Sequence, residues 1–463
     1  MEQFQVKDTI AAISTPSGIG GIAVIRVSGP EAIRLVNTAW KGSDLTKVPS
    51  HTIHVGKYYS KEGNMLDEAV ASVFIAPASF TGEDIVEISV HGSTWIQREV
   101  LNDLVLRGVR IAQPGEFTQR AFLNGKIDLA QAEGIADLIA SSSKAAHDMA
   151  ITQTKGTFSK EFNLLREKLI EFASLLELEL DFTEEDVEFA DRSALISLCN
   201  EVLSKVKNLA SSYSRGAVLK NGVPVVIAGI PNAGKSSLLN LLLGDEKAIV
   251  TDIPGTTRDT IEDTVEIDGV LYRFTDTAGL RETEDKVEGI GVERAKSSIA
   301  KAFIIIWVID PTSPLSPQLE SLSEFKDKYP SKNFITIVNK SDIENNTLSR
   351  RASFISESKE PFFKFSTKTC EGLDKLLKEL KYLSTKDSNP QTDIIVTNAR
   401  HYEALTHAAD SLSRVHDGLF ANLSGDFIAQ DIREATAYLA TITGNITTDH
   451  LLHSIFSRFC IGK

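Results

Sequence analysis

Residues 229–236 read Gly-Ile-Pro-Asn-Ala-Gly-Lys-Ser, and no other stretch restricts the fold so tightly. The apolar run Val225–Ala228 precedes them, and the helical pattern Ser237-Leu238-Leu239-Asn240-Leu241-Leu242 follows. A strand, this loop and a helix in that order make an anion cradle. Glycines let the backbone wrap closely, so successive N–H groups point inward. The helix N-terminus adds the positive end of its dipole. Lys235 supplies a full charge for outer phosphates, and the Ser236 hydroxyl can ligate magnesium.

Further short elements follow in the order that a nucleotide-hydrolysing domain requires. Asp252-Ile253-Pro254-Gly255-Thr256-Thr257-Arg258-Asp259 reads as a loop whose Thr257 can reach magnesium. The strand Tyr272–Thr275 runs into Asp276-Thr277-Ala278-Gly279, where Asp276 stands behind the magnesium ligands. The Gly279 N–H is placed to sense a terminal phosphate. Phe303–Ile309 reads as a fully buried strand. Phe334–Val338 leads to Asn339-Lys340-Ser341-Asp342, and Phe363–Phe365 leads to Ser366-Thr367-Lys368. Guanine shows two adjacent donors, its ring N–H and its amino group, and the Asp342 carboxylate can accept both. Adenine lacks that pair and would leave the carboxylate unsatisfied. These elements predict a GTPase domain: a mainly parallel sheet with helices on both faces.

The chain has 463 residues, enough for two to four domains. Its composition, 42% hydrophobic and 24% charged, is that of an ordinary soluble protein. A net charge of −14 excludes a protein that coats nucleic acid over its whole surface, though a local basic groove stays open. Cys199, Cys370 and Cys460 are odd in number and far apart, which fits a reducing cytoplasm better than a disulfide framework. No apolar run approaches the roughly 20 residues of a membrane span.

Around this domain the periodicity changes twice. From Asp8 to about Arg120 short strands dominate: Ile10–Ile13, Gly21–Val27, His51–Tyr59, Glu68–Ile75 and Asp84–Val90, with helices at Pro30–Trp40 and Thr94–Leu106. Arg26 and Glu87 lie inside two of those strands, and on the residues alone both read as facing water. From Ile127 the period becomes helical. Phe162, Leu165, Leu169, Phe172 and Leu176 form one seam, and helical character resumes from Ala194 to about Ser211. The acidic run Glu184–Glu188 reads as a solvated face. Beyond the linker Ser384–Pro390, Tyr402, Leu405, Ala409, Leu412, Val415 and Leu419 make one stripe, and Ile428, Ile432, Ala435, Leu439 and Ile442 another. Each stripe must be buried. The economical arrangement is one helical domain with the GTPase domain inserted. That gives an N-terminal domain at 1–120, helical parts at 121–221 and 384–463, and a GTPase domain at 222–383. Cys460 reads as a small buried residue, and His450 and His453 lack a third metal ligand.

Two positions leave alternatives open. Many switch GTPases orient water with a glutamine after the Asp-x-x-Gly element, but here the residue is Leu280, which can neither donate nor accept. The carboxylates of Glu282, Glu284, Asp285 and Glu288 are all candidates, and on the residues alone the segment reads by default as a solvated switch loop. The Asn232 amide could cap the loop or could coordinate a monovalent cation beside the phosphates.

The nucleotide motifs, together with Ser79-Phe80-Thr81-Gly82-Glu83-Asp84, Pro114–Lys126 and the terminal Phe459-Cys460-Ile461-Gly462-Lys463, resemble the MnmE (TrmE) tRNA-modification GTPases. The resemblance spans the chain. It implies a multidomain α/β protein: an N-terminal α+β tetrahydrofolate-binding and dimerisation domain, a split all-α domain and an inserted Ras-like phosphate-loop GTPase domain. It implies a cytoplasmic homodimer joined to an FAD-dependent partner, MnmG (GidA), in a heterotetramer or larger complex. Together they would install a carboxymethylaminomethyl-type group at carbon 5 of the wobble uridine of certain tRNAs, with no role for a membrane.

By position, the resemblance implies folate contacts at Arg26, Glu87, Lys126 and Lys463 for a 5-formyl-tetrahydrofolate-like ligand. That overturns the water-facing reading of Arg26 and Glu87. It puts potassium on Asn232, Thr251, Ile253 and Thr256, magnesium on Ser236 and Thr257, and the water-orienting carboxylate at Glu288. GTP contacts fall on Asn232, Ala233, Gly234, Lys235, Ser236 and Ser237, and on Thr251, Asp252, Ile253, Pro254, Gly255, Thr256 and Thr257. They continue at Asp276, Thr277, Ala278 and Gly279, then Asn339, Lys340 and Asp342, then Ser366, Thr367 and Lys368. The alternative is a regulatory GTPase of ribosome assembly or RNA binding. Such proteins share the nucleotide motifs but usually carry an RNA-binding module where this chain has helices.

Overall fold

The computed structural model describes residues 8–181, 192–244, 249–250, 263–276, 299–343, 362–386, 394–421, 423–457, 459 and 461–462. The chain divides into two compact units. One holds Met1–Ala136, Gln153–Ala190 and Asn422–Lys463, and the other Asp137–Thr152 and Asp191–Ala421.

The first unit is organised by a seven-stranded sheet of β1 (Ile10–Ile13), β2 (Ile22–Ser28), β3 (Trp40–Lys41), β4 (Thr52–Tyr59), β5 (Met65–Phe74), β6 (Ile85–His91) and β7 (Arg110–Ile111). Their order is β3-β4-β5-β6-β2-β1-β7. All neighbours are antiparallel except β1 and β7. Side-chain alternation sends Ala23, Ile25 and Val27 of β2 and Ile88 and Val90 of β6 to a core shared with Val36, Val100 and Leu104 of the helices Ala32–Ala39 and Thr94–Leu106. The opposite face carries a cross-strand row, Ile53–Ser72–Glu87–Arg26–Ala12. The two-residue strands β3 and β7 and the helix Glu116–Leu123 were not legible, being too short to show a period.

The helical seam behaves as its spacing predicts. Phe162, Leu165, Leu169, Phe172 and Leu176 are all buried in the helix Thr157–Asp181. That helix packs on Gly425–Thr443, whose Ile428, Ile432, Ala435, Leu439 and Ile442 are buried too. The C-terminal tail returns to the sheet: the Ser14 hydroxyl donates to the Gly462 carbonyl at 3.1 Å.

The second unit is organised by β8 (Val223–Gly229), β9 (Ile249–Val250), β10 (Asp263–Ile267), β11 (Val270–Asp276), β12 (Ile304–Ile309), β13 (Asn333–Val338) and β14 (Phe362–Lys364). The order is β14-β13-β12-β8-β11-β10-β9, with β8, β11, β12, β13 and β14 parallel. Every residue of β12 is buried, because both faces are covered. Ile304, Ile306 and Val308 join Leu238, Leu376 and Leu380 on one side, and Ile305, Trp307 and Ile309 join Leu322 on the other. Each such side chain contributes roughly 1.5–3 kcal/mol.

The helix Arg192–Asn221 runs well beyond the expected end near Ser211 and packs on Ala399–Phe420. Cys199 lies in that seam, where burial pushes its thiol up to about 11. In the stripe of Ala399–Phe420, Tyr402 differs from the other residues: it is exposed and stacks on Tyr213 with centroids 4.7 Å apart. No helix among the described residues is long and apolar enough to cross a membrane.

Candidate functional site

The loop after β8 is shaped by its backbone. Gly229 has φ 144, and a Cβ there would come within 2.3 Å of the Val308 carbonyl oxygen. Gly234 has φ 96, and a Cβ there would meet the Asn339 amide nitrogen at 2.2 Å. Asn232 takes φ 62, a left-handed conformation that asparagine tolerates better than most residues, and it is exposed at the loop's edge. Lys235 opens the helix Lys235–Gly244. Its ammonium folds back over the loop, donating to the carbonyls of Gly229 at 3.0 Å and Ile230 at 2.8 Å. Ser236 and Ser237 are exposed on the first turn of the same helix.

Three recognition loops are fastened to one another. Asn339, 1% exposed at the end of β13, donates from Nδ2 to the Ala233 carbonyl at 2.8 Å and accepts the Thr367 N–H at 3.1 Å. The Ser366 hydroxyl donates to Asp342 Oδ1 at 2.7 Å, and that bond holds the Asp342 carboxyl below the usual carboxylate range. The Ser366 oxygen also accepts the Lys368 N–H at 3.3 Å. Ser341 donates to Glu371 Oε2 at 2.7 Å. Lys340, at φ 62, places its Nζ 2.7 Å from Asp310 Oδ2. A purine edge presented to Asp342 therefore meets an ionised acceptor that needs little rearrangement.

Asn232–Ser237, Asn339, Lys340, Asp342 and Ser366–Lys368 are thus brought to one end of the sheet. Asp276 closes β11. Thr251–Thr257, Thr277–Gly279, Glu288, the acidic run Glu184–Glu188, Cys460 and Lys463 lie outside the described residues. His450 and His453 are exposed.

In the first unit, Arg26 and Glu87 stand directly opposite on β2 and β6, with Arg26 Nε donating to Glu87 Oε1 at 2.9 Å. Their side chains are 17% and 28% exposed, so neither is the solvated charge that the residues alone suggested. The pairing was hidden because register is not visible along one strand. The Arg26 guanidinium also lies 5.3 Å from the Phe80 ring centre and 5.6 Å from that of Phe117. Lys126 is exposed and donates to the Pro77 carbonyl at 3.0 Å, so it leans on the loop that carries Phe80.

A partly buried ion network holds that loop. Arg120, 2% exposed, contacts Asp8 at 2.8 Å, Glu116 at 3.0 Å and Glu83 at 3.2 Å. Arg110 adds bonds to Asp8 and Glu116. Burial raises both of those carboxyls, but the Arg110 bonds, with help from Arg120, outweigh it and hold both below their ordinary values. Ser28 donates to Glu83 Oε2 at 2.7 Å, and Asn124 Nδ2 to the Thr81 carbonyl at 2.7 Å. The two motif stretches around Thr81 and Arg120 thus brace each other. A polar residue every few positions in both stretches was the visible signal, but their partnership was not.

Residues 9–126 match the family described as GTP-binding protein TrmE N-terminus, and residues 129–460 match the MnmE helical domain. The chain is 50% identical over 467 residues to the tRNA modification GTPase MnmE of Bacteroides fragilis, spanning 99% of this chain and all of that one. It is 47% identical over 476 residues to the protein of that name from Christiangramia forsetii, with the same coverage. Among solved structures, the G domain of the T. maritima FeoB iron transporter is 26% identical over 35% of this chain and 98% of that chain, with a TM-score of 0.26.

Proposed function

Because the chain belongs to the MnmE family of tRNA modification GTPases, we propose that it is the GTP-hydrolysing subunit of a complex acting on the wobble uridine of certain tRNAs. The product would be a carboxymethylaminomethyl-type group at carbon 5, made with a one-carbon tetrahydrofolate and an FAD-dependent partner of the MnmG type. The observation that carries this reading is the joined guanine pocket, in which Asn339 ties the phosphate loop to Thr367 while Ser366 holds Asp342 ionised.

The phosphate chain of GTP is bound by the N–H groups of the loop Asn232–Gly234, the N-terminus of the helix Lys235–Gly244 and the Lys235 ammonium. Magnesium would be held by Ser236 and Thr257, and the exposed Ser236 hydroxyl at the helix start suits it. Potassium would be held by Asn232, Thr251, Ile253 and Thr256, and the exposed, left-handed Asn232 suits an amide oxygen aimed outward. These ions supply positive charge to the phosphates. Glu288 orients water, replacing the glutamine that Leu280 excludes. Two GTPase domains meet during hydrolysis, each completing the other's site.

Arg26 and Glu87 fit a reduced pterin: a carboxylate matches its amidine-like donor edge, and cations at Arg26, Lys126 and Lys463 match a glutamate tail. The bound folate would supply the one-carbon unit. Ile22, Ile53 and Val55 are 69%, 70% and 78% exposed, and Ile53 stands in the cross-strand row of Arg26 and Glu87. Apolar surface on that sheet supports a homodimer. The reading keeps the domains at 1–120, 121–221, 222–383 and 384–463, and the complex in the cytoplasm. Titration of the full chain with 5-formyl-tetrahydrofolate tests it. Saturable binding is expected, and no binding would favour a ribosome-assembly GTPase.

A further inference from the structure

The lysine of the guanine-recognition loop is anchored from behind by a residue that no nucleotide motif contains. Asp310 directly follows β12, and its side chain is 4% exposed. A carboxylate this buried must be fully engaged, and its two oxygens are divided between two tasks. Oδ1 accepts the Thr312 N–H at 2.9 Å and the Thr312 hydroxyl at 2.6 Å, closing a local turn. Oδ2 takes the Lys340 ammonium at 2.7 Å, with the Ser313 hydroxyl more distant at 3.5 Å. The Asp310 backbone is fixed by a single amide: Gln318, 2% exposed, accepts the Asp310 N–H at 2.9 Å and donates to the Asp310 carbonyl at 2.9 Å. The carboxylate cannot swing.

Lys340 is fixed at its other end too. Its backbone is left-handed, and both neighbours are pinned: the Asn339 N–H donates to Ile309 at 3.0 Å and the Ser341 N–H to Phe365 at 3.0 Å. With main chain and ammonium both tethered, the four-carbon stem between them is a fixed apolar wall between Asn339 and Asp342. We propose that Asp310 is a positioning residue that acts through Lys340, converting a flexible side chain into part of the guanine pocket and so raising affinity for guanine nucleotides without choosing the base. This rests on the GTPase reading of the pocket.

The two oxygens make the test selective. Asp310→Asn keeps an oxygen for Thr312 but turns an N–H₂ donor toward the ammonium, so the local turn persists while Lys340 is released. In the full chain, Asp310→Asn is expected to weaken GDP binding about 5- to 30-fold, the scale of a lysine's lost rotamer freedom. The GDP-to-IDP affinity ratio should not change. Combined with Lys340→Met, it should bind no more weakly than Lys340→Met alone. Wild-type affinity in Asp310→Asn, a changed base ratio, or losses that multiply in the double variant would overturn the proposal. Should Asp310→Asn fail to fold, Lys340 variants decide. Lys340→Arg keeps a cation that can pair with Asp310 and should bind GDP more tightly than Lys340→Met, which loses the pair. Equal affinities in the two would overturn it. A wild-type chain that ignores GDP would overturn the nucleotide reading itself, and this inference with it.

Discussion

Asn339 donates from its side-chain amide to the Ala233 carbonyl at 2.8 Å, so the base-recognition loop supports the phosphate loop directly. The same amide accepts the Thr367 N–H. Asn339→Ala leaves both partners unsatisfied in a buried place, at about 1–3 kcal/mol. GDP affinity should fall roughly 10- to 100-fold, read by titration with a fluorescent nucleotide. Unchanged affinity would mean that the loops hold their positions without the amide.

Asp342→Asn replaces the ionised acceptor with a group that both donates and accepts. Two charge-assisted hydrogen bonds to guanine are weakened, so GTP preference over other purine nucleotides should drop by about tenfold or more. Competition binding reads this. Retained discrimination would place base recognition elsewhere.

Glu288→Ala should slow GTP turnover by at least about 100-fold with little change in GDP affinity, as expected on losing a group that positions the attacking water. Sodium in place of potassium should slow wild-type hydrolysis as well. Equal turnover in the variant removes Glu288 from the mechanism, and equal rates in both salts remove the Asn232 cation.

Arg120→Gln leaves Glu83 buried without its cation and leaves Glu116 to Arg110 alone, which costs about 3–5 kcal/mol at neutral pH. Asp8 and Glu116 have carboxyls held below 3.8 and 4.5 in the folded chain. A depressed folded value means stabilisation that is complete above the ordinary value and lost as pH falls through the folded one. The stability gap between wild type and variant, measured by urea unfolding, should therefore be full at pH 7 and shrink below about pH 4. A gap that stays constant with pH would assign the loss to packing.

The nucleotide half of the molecule was legible because its signals are local. Gly229–Ser236 and Asn339–Asp342 are contiguous runs at the ends of strands, and the strand β12 announces itself by six consecutive apolar residues, all of them buried. The N-terminal half was legible only in part. Arg26 and Glu87 are 61 residues apart, and their meeting depends on the β2–β6 register, which the alternation of one strand cannot fix. Asp310 was missed for the same reason: it follows an apolar strand like any turn aspartate, and its partner Lys340 belongs to another strand end. The long helices showed their stripes, but stripes say only that a face is buried and not against what: Thr157–Asp181 packs on Gly425–Thr443, and Arg192–Asn221 on Ala399–Phe420.

The most direct measurement is the wobble nucleoside itself. Transfer RNA from a strain lacking this chain, digested and analysed by mass spectrometry, should lose the carboxymethylaminomethyl-type uridine and regain it when the wild-type chain is restored. Undiminished modified uridine in the deletion strain would contradict the assignment.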